Sequence, residues 1–212
     1  MLEASKSIMR RSHDQRFATR FLVGEGIDIG AGGDPIGNYA SLFPLMKSVR
    51  AWDLADGDAM MMASISDASL DFVHSSHCLE HLEDPFVALS HWIRICRPGG
   101  HLVVVVPDED LYEQGVFPST FNPTHRWTFT IAKRESWSPR SVNLLDLLGR
   151  FNDVVDILRL ELLDHNYLYG AQRFDQTMLP ASESAIEFVL RKRKPEDIER
   201  RGRLTVPPPT RP

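Results

Sequence analysis

The chain has 212 residues, a net charge of −5 and 42% hydrophobic residues, a composition typical of one globular domain. From Arg191 onward eight Lys/Arg face three Asp/Glu, so the preceding chain carries about −10, which disfavours nucleic acid as a partner. No apolar run approaches the roughly 20 residues of a membrane span, and no signal-peptide block is visible. The two cysteines lack metal-ligand spacing, and a reducing, cytoplasmic location is expected.

The first 22 residues form a basic segment with apolar residues at loosely helical spacing, among them Ile8, Phe17 and Phe21. This pattern predicts a lead-in helix over residues 1–22 that covers one edge of a ligand site. A main domain over residues 23–193 is expected to follow.

A glycine cluster follows a short apolar strand. Ile27-Asp28-Ile29 leads into Gly30-Ala31-Gly32-Gly33, and Asp34 before Pro35 is typical of a helix start with Asp34 as N-cap. Glycine has no Cβ, so such a turn lets backbone approach a ligand at the carboxyl end of a parallel strand.

Two cofactors compete for this turn. A dinucleotide fingerprint requires glycine where the chain has Pro35, which disfavours NAD. The carboxylate of Asp28 suits the ammonium group of S-adenosylmethionine (SAM) instead. Asp53, about 20 residues further at the end of a second predicted strand (48–53), suits ribose hydroxyls of either cofactor. A tight strand–helix turn without a ligand stays open as a third interpretation.

A second block of motifs runs from Ser69 to Asp110. A strand over 70–76 leads into His77-Cys78-Leu79-Glu80-His81-Leu82, and a helix with an apolar face over 86–95 follows. Arg97-Pro98-Gly99-Gly100 ends this helix, and 101–107 reads as a strand buried on both faces.

The glycine turn, the Leu-Glu-His-Leu segment and the Pro-Gly-Gly turn together resemble class I SAM-dependent methyltransferases of the methyltransferase-11 type, over residues 24–107. Asp34 stands where the family usually has a third glycine. The resemblance implies an α/β fold: a single Rossmann-like three-layer domain with a seven-stranded, mostly parallel sheet whose last strand is antiparallel. It also implies SAM as cofactor, with an adenine contact at Asp58 and Ala59. The predicted cofactor-binding residues are Asp28, Gly30, Gly32, Asp53, Asp58, Ala59, Ser76 and His77.

Residues 108–193 are predicted to form the substrate-facing half. A helix is expected from Ser138 to Gly149, then strands over 154–162 and 185–190. The basic, proline-rich stretch 194–212 is predicted to be disordered. Ser76-His77-Cys78-Leu79 replaces the Asn/Asp-Pro-Pro-Tyr/Phe segment common in methyltransferases of nucleic-acid bases, which again disfavours a nucleic-acid substrate.

Candidate catalytic groups lie in two segments of this half. His125 is the proposed general base, oriented by Asp110 or Glu109, and His165 is the competing candidate. Aromatic residues around His125 suit the wall of an organic-substrate pocket. Asp108, Asp110, Glu113 and His125 have the ligand chemistry of a Mg or Mn site, but their spacing is not diagnostic and no metal is predicted.

The expected function is SAM-dependent methyl transfer to a small organic acceptor, at an oxygen of a glycan precursor or secondary metabolite. Neither nucleic acid nor a membrane is an expected partner, and a homodimer stays open. The alternatives are a non-catalytic SAM- or nucleoside-binding regulatory subunit, with a partner protein on the aromatic segment, and an NAD-dependent oxidoreductase.

Overall fold

A six-stranded sheet forms the centre of the computed structural model, which describes residues 3–202. Its order is β2-β1-β3-β4-β8-β7, and a separate parallel pair joins β5 and β6. The strands are β1 (Gly24–Ile29), β2 (Met46–Trp52), β3 (Leu70–Ser76), β4 (Cys96–Pro107), β5 (Thr128–Thr130), β6 (Ser141–Asn143), β7 (Val155–Leu163) and β8 (Ala185–Lys192). β1 to β4 pair in parallel, and β8 is antiparallel between β4 and β7.

Helices and helical turns cover both faces of the sheet. The α-helices are α1 (Glu3–Ser12), α2 (Pro85–Ile95), α3 (Leu144–Gly149) and α4 (Pro195–Glu199). Wide π-type turns span Phe17–Phe21 and Glu109–Glu113, and 3₁₀ turns span Ile36–Leu42, Leu79–His81 and Gln176–Met178. None of the described helices is long and apolar enough to cross a membrane.

The three-layer α/β fold class is confirmed, but the described sheet has six strands where seven were expected. The difference lies between β2 and β3, where the backbone forms turns. Met62 N bonds Asp58 O at 3.1 Å and Ile65 N bonds Met62 O at 3.1 Å. Local bonds therefore use the groups that an additional strand would present to the edge of the sheet.

Two predicted boundaries in the second half also change. The helix expected from Ser138 begins at Leu144, because residues 141–143 pair with β5 and the Asn143 side chain caps the helix through Asp146 N. Pro195–Glu199 forms α4 within the stretch predicted to be disordered. The same prediction for residues 203–212 lies outside the described residues.

The second half of β4 consists of apolar residues because the sheet is covered on both faces there. Leu102, Val104 and Val106 pack in the core that contains α2 and α3, whereas Val103 packs with the N-terminal aromatic residues on the opposite face. Successive side chains of a strand alternate between faces, so a strand covered on both sides needs apolar residues at every position.

The N-terminal helix α1 is tied to the sheet by a fully buried ion pair. Arg11 Nη2 donates to Glu187 Oε2 on β8 at 3.0 Å, and neither side chain is exposed. Arg11 Nη1 also bonds His74 Nε2 on β3 at 2.9 Å. Burial raises the pKa of Glu187, but Arg11 and Arg10 lower it below its usual range, so the carboxylate stays ionised.

Replacing Arg11 by Met is expected to lower the free energy of unfolding by about 3 kcal/mol, because Glu187 then keeps a buried charge with fewer donors. Urea denaturation followed by circular dichroism measures this loss. Arg11→Met combined with Glu187→Met should cost less than the two single changes added together, because their partners are removed jointly.

The matched control for Arg11→Met is Arg16→Ala. Arg16 pairs with Asp14 at 2.6 Å, but its side chain is 52% exposed, so its loss should cost less than about 1 kcal/mol. Equal losses from Arg11→Met and Arg16→Ala would contradict a structural role for the buried pair.

Candidate cofactor and acceptor site

A cavity of about 200 Å³ lies at the carboxyl ends of β1, β3 and β4, under the first turn of α1. This is the edge at which open α/β sheets bind ligands. Its walls come from α1, the glycine turn, the end of β3 and the segment after β4. The residues are Glu3, Ala4, Asp28, Gly30, Ala31, Gly32, Asp34, His74, Ser76, His77, Glu80, His81, Tyr112, Asn122 and His125.

The glycine turn after β1 presents bare backbone to this cavity. Gly30 has φ +73°, and a Cβ there would lie 2.5 Å from Cys78 Cβ, so only glycine fits. Gly32 has φ +52°, whereas a Cβ at Gly33 would meet no atom within 4 Å. Tight contacts therefore hold the start of the turn, and its tip has the free space that a ligand requires.

Asp28 holds this turn in place through both carboxylate oxygens. Oδ2 accepts from Ile36 N at 2.7 Å, and Oδ1 contacts His74 Nδ1 at 2.5 Å. Because arginine can only donate, its bond from Arg11 makes His74 Nε2 the acceptor and Nδ1 the donor to Asp28. The carboxylate of Asp28 was expected to contact the ammonium group of the cofactor directly. Both of its oxygens already have partners within the protein.

Asp34 does not cap the following helical turn, contrary to prediction. The N-cap position belongs to Pro35. Asp34 Oδ2 instead accepts from Ser5 N of α1 at 2.8 Å, and Oδ1 accepts from Tyr39 Oη at 2.7 Å. The residue that replaces the usual third glycine therefore holds α1 over the cavity.

The other predicted cofactor residues form two groups. Ser76 and His77 line the cavity. Asp53 directly follows β2, whose Trp52 carbonyl accepts from Gly30 N at 2.9 Å, so its exposed carboxylate lies at the same edge of the sheet. Asp58 and Ala59 lie further along this loop and do not line the cavity.

His77 has a left-handed backbone, with φ +52°, which is uncommon for a residue with a side chain. Its imidazole is almost buried, 3.4 Å from Glu3 Oε2 on one side and 3.4 Å from Glu80 Oε1 on the other. Burial lowers the pKa of His77, but the charges of Glu3 and Glu80 outweigh burial and raise it to about 8.

Around His125 the cavity wall holds a cluster that the sequence interpretation did not assemble. His125 Nδ1 contacts Glu113 Oε1 at 2.7 Å. On the other side of the ring, His125 Nε2 lies 3.8 Å from Glu80 Oε1, and His81 Nε2 lies 3.8 Å from the same oxygen. Glu80 was missed, although the spacing His77-x-x-Glu80-His81 places three ionisable groups within a single turn, and Glu113 was named with His125 only as a possible metal ligand.

The predicted orienting partners of His125 have other roles. Asp110 contacts Lys133 Nζ at 2.5 Å and accepts from Trp137 Nε1 at 2.9 Å. Buried Glu109 accepts from Lys133, Ser136 and Ser141. Because both are held in this neighbouring network, Glu113 takes the place predicted for them beside His125.

His165 is exposed in the turn after β7 and does not line the cavity. Within the alternative metal set only Glu113 and His125 meet. Asp108 instead caps the turn that follows it, accepting from Asp110 N and Leu111 N at 3.0 Å.

The aromatic residues of the 112–129 segment are buried or partly buried. Tyr112 and Phe129 are fully buried, Tyr112 packs against His125 with ring centroids 5.1 Å apart, and Arg173 covers Phe121 at 4.2 Å. These contacts make the segment a wall of the cavity.

Comparisons with known proteins agree with this geometry. A family model described as a methyltransferase domain matches residues 2–141. No curated protein sequence matches the chain. A SAM-dependent methyltransferase from Archaeoglobus fulgidus superposes with a TM-score of 0.57 at 18% identity, covering 91% of this chain and 95% of its own.

Two further solved structures share the fold. A putative methyltransferase from Bacillus halodurans has a TM-score of 0.56 at 15% identity, with 88% of this chain and 99% of its own covered. A putative SAM-dependent methyltransferase from Listeria monocytogenes has a TM-score of 0.56 at 11% identity, covering 91% and 99%.

The family excludes the alternative of an NAD-dependent oxidoreductase. The open glycine turn, and Asp53 at the same edge of the sheet, fit the backbone and ribose contacts that SAM needs. The chain belongs to the methyltransferase domain family and is a class I SAM-dependent methyltransferase.

Proposed function

We propose that this protein transfers a methyl group to an oxygen of a small organic acceptor that binds between the glycine turn and His125. The observation that carries the proposal is the shared cavity, since Gly30–Gly32 and the Glu113-bound His125 line the same space. SAM supplies an electrophilic sulfonium methyl group when bound. The protein's task is to hold an acceptor oxygen in line with that methyl group.

His125 is the proposed activating residue for the acceptor hydroxyl. Its Nδ1 is held by Glu113, which leaves Nε2 directed into the cavity wall. A carboxylate on one imidazole nitrogen orients the ring and supports positive charge on it, which favours proton removal at the other nitrogen. Asp110 and His165, which do not line the cavity, have weaker support as catalytic groups.

The acceptor is proposed to be small because the cavity is small and α1 lies above it. Glu3 and Ala4 line the cavity from α1, and Tyr112 and Asn122 add an aromatic and a polar wall. Ten of the fifteen lining residues are polar or charged, which suits a small acceptor that makes several hydrogen bonds. A hydroxyl of a glycan precursor or of a secondary metabolite has this chemistry.

A regulatory subunit that binds SAM without catalysis has less support. Its aromatic segment was expected to dock a partner, but Tyr112 and Phe129 are buried. The substituted third glycine, Asp34, has a structural role at α1 that is compatible with an active enzyme.

Calorimetric titration of the purified protein is expected to detect SAM and S-adenosylhomocysteine but not NAD. Asp53→Ala should weaken both SAM-type ligands by about 10–100-fold, because charged hydrogen bonds to the ribose hydroxyls contribute about 1.5–3 kcal/mol.

The matched control for this titration is Asp153→Ala, which removes an exposed carboxylate just before β7, at the opposite edge of the sheet. Its affinity for SAM should equal that of the unmodified protein. Binding of NAD, or equal affinities in the Asp53 and Asp153 variants, would contradict the proposed cofactor contacts.

His125→Ala should lower turnover by about 10²–10⁴-fold with unchanged SAM affinity, because a positioned base is lost. Release of S-adenosylhomocysteine, measured against a panel of hydroxylated small molecules, gives the rate. Glu113→Gln should cause a smaller loss, since it keeps the shape of the partner and removes its charge.

His165→Ala provides the comparison, since His165 is exposed outside the cavity. The assignment would be wrong if His165→Ala abolished turnover while His125→Ala left it intact.

A further inference from the structure

The carboxylate of Glu80 is fully buried, and neither of its oxygens has a hydrogen-bond donor among the described residues. Buried carboxylates without donors are rare, because burial removes water that would otherwise solvate the charge. A buried carboxylate without a hydrogen-bonded donor therefore faces the cavity.

Three imidazoles surround Glu80: His77 Nδ1 lies 3.4 Å from Oε1, and the Nε2 atoms of His81 and His125 lie 3.8 Å from it. His125 Nδ1 bonds the carboxylate of Glu113, and His81 Nδ1 bonds the Thr124 carbonyl oxygen at 3.2 Å. Both of these partners accept, and the Thr124 hydroxyl, 3.1 Å from His81 Nδ1, donates to Asn122 Oδ1, so each Nδ1 is assigned a hydrogen. In the neutral form of a ring held in this way, Nε2 carries the lone pair that a metal ion requires.

Backbone bonds hold these side chains together. The carbonyl oxygen of Glu80 accepts from Arg126 N at 2.9 Å and from Trp127 N at 3.2 Å. The segment with Glu80 and His81 is therefore fixed to the segment with His125. The rings of His81 and His125 pack edge to face, with centroids 4.9 Å apart.

We propose that Glu80, His81 and His125 bind one divalent transition-metal ion at the wall of the cavity. Their ligand atoms, one from each residue, all lie within 4.8 Å of one another. Ligands that share an ion at about 2.0–2.2 Å lie about 3–3.5 Å apart, so the 3.8 Å separations need to close by a few tenths of an ångström, and the widest, within 4.8 Å, by about 1–2 Å.

The ligand set selects the type of ion. Two imidazoles and one carboxylate suit Mn²⁺, Fe²⁺, Co²⁺, Ni²⁺ or Zn²⁺, whereas Ca²⁺ and Mg²⁺ prefer oxygen ligands alone. Metal-binding histidines usually donate their other ring N–H to a carboxylate or a backbone carbonyl oxygen, which orients the ring. Glu113 and the Thr124 carbonyl oxygen are in this position for His125 and His81.

This inference rests on the proposed function and changes one step of it: with His125 Nε2 bound to the ion, the ion activates the acceptor hydroxyl in place of direct proton removal by His125. An acceptor hydroxyl on the ion has a lowered pKa, and its proton leaves to solvent. The O–CH₃ bond then forms as the C–S bond of the sulfonium breaks, and the electron pair of that bond stays on sulfur.

Cobalt titration of the full chain, freed of metal by chelator dialysis, tests the site. Calorimetry and visible absorption should show one Co²⁺ per chain, not displaced by excess Mg²⁺. Glu80→Gln should weaken Co²⁺ binding at least 100-fold, His81→Ala should do likewise, and Glu113→Gln should weaken it 10–100-fold through the outer contact.

His91→Ala is the matched control, because His91 lies on α2 and pairs with Arg94 outside the cavity. It should bind Co²⁺ as the unmodified protein does. Should the buried Glu80 variant fail to fold, the His81 variant decides, since His81 is partly exposed.

SAM titration of the same preparations separates the two proposals. SAM binding without a single Co²⁺ site, or Co²⁺ binding unchanged in both the Glu80 and His81 variants, overturns the metal site alone. Failure of SAM to bind overturns the proposed function instead. Turnover that survives chelation and does not respond to added Co²⁺ would return His125 to the role of a direct base.

Discussion

A chain of buried polar contacts connects the N-terminal helix to the cofactor turn, and the site depends on it. Glu187 on β8 bonds Arg11, Arg11 bonds His74 on β3, and His74 bonds Asp28 at the end of β1. Asp28 in turn holds the backbone of Ile36 beyond the glycines. Each member satisfies its neighbour, so the charges can stay buried away from water.

A second set of contacts with α1 accounts for the residue at which the glycine turn departs from the family pattern. Asp34 stands where the third glycine is usual, and its carboxylate accepts from α1 and from Tyr39. The departure that weakened the motif in the sequence therefore belongs to the attachment of α1. A substitution that looks like a loss of function in a motif can thus be the other half of a contact made by a distant segment.

Local patterns predicted the parts of the fold that depend on local physics. The glycine turn, the apolar face of helix α2 and the two-sided apolar run of β4 follow from backbone freedom, helical periodicity and burial. The start of α3 at Leu144 could not be predicted, because it depends on the pairing of residues 141–143 with β5. The seventh strand was expected from the resemblance alone, and local turns occupy its place.

The candidate site was predictable only in part for the same reason. His125 was found because a histidine among aromatic residues and carboxylates is typical of a substrate wall. Its true neighbours, Glu80 and Glu113, lie 45 residues before it and 12 residues before it, and only the fold brings the first of them to the ring. The prediction named Asp110, which Lys133 holds elsewhere, although Glu113 is nearer to His125 along the chain.

The position of α1 has a consequence for how ligands enter. Glu3 and Ala4 line the cavity, and the helix is fastened by Ser5 N to Asp34 and by Lys6 Nζ to the Thr177 carbonyl oxygen at 2.6 Å. These contacts hold the first turn of α1 over one side of the cavity. A ligand that enters from that side requires the first turn to open locally, at the cost of these hydrogen bonds.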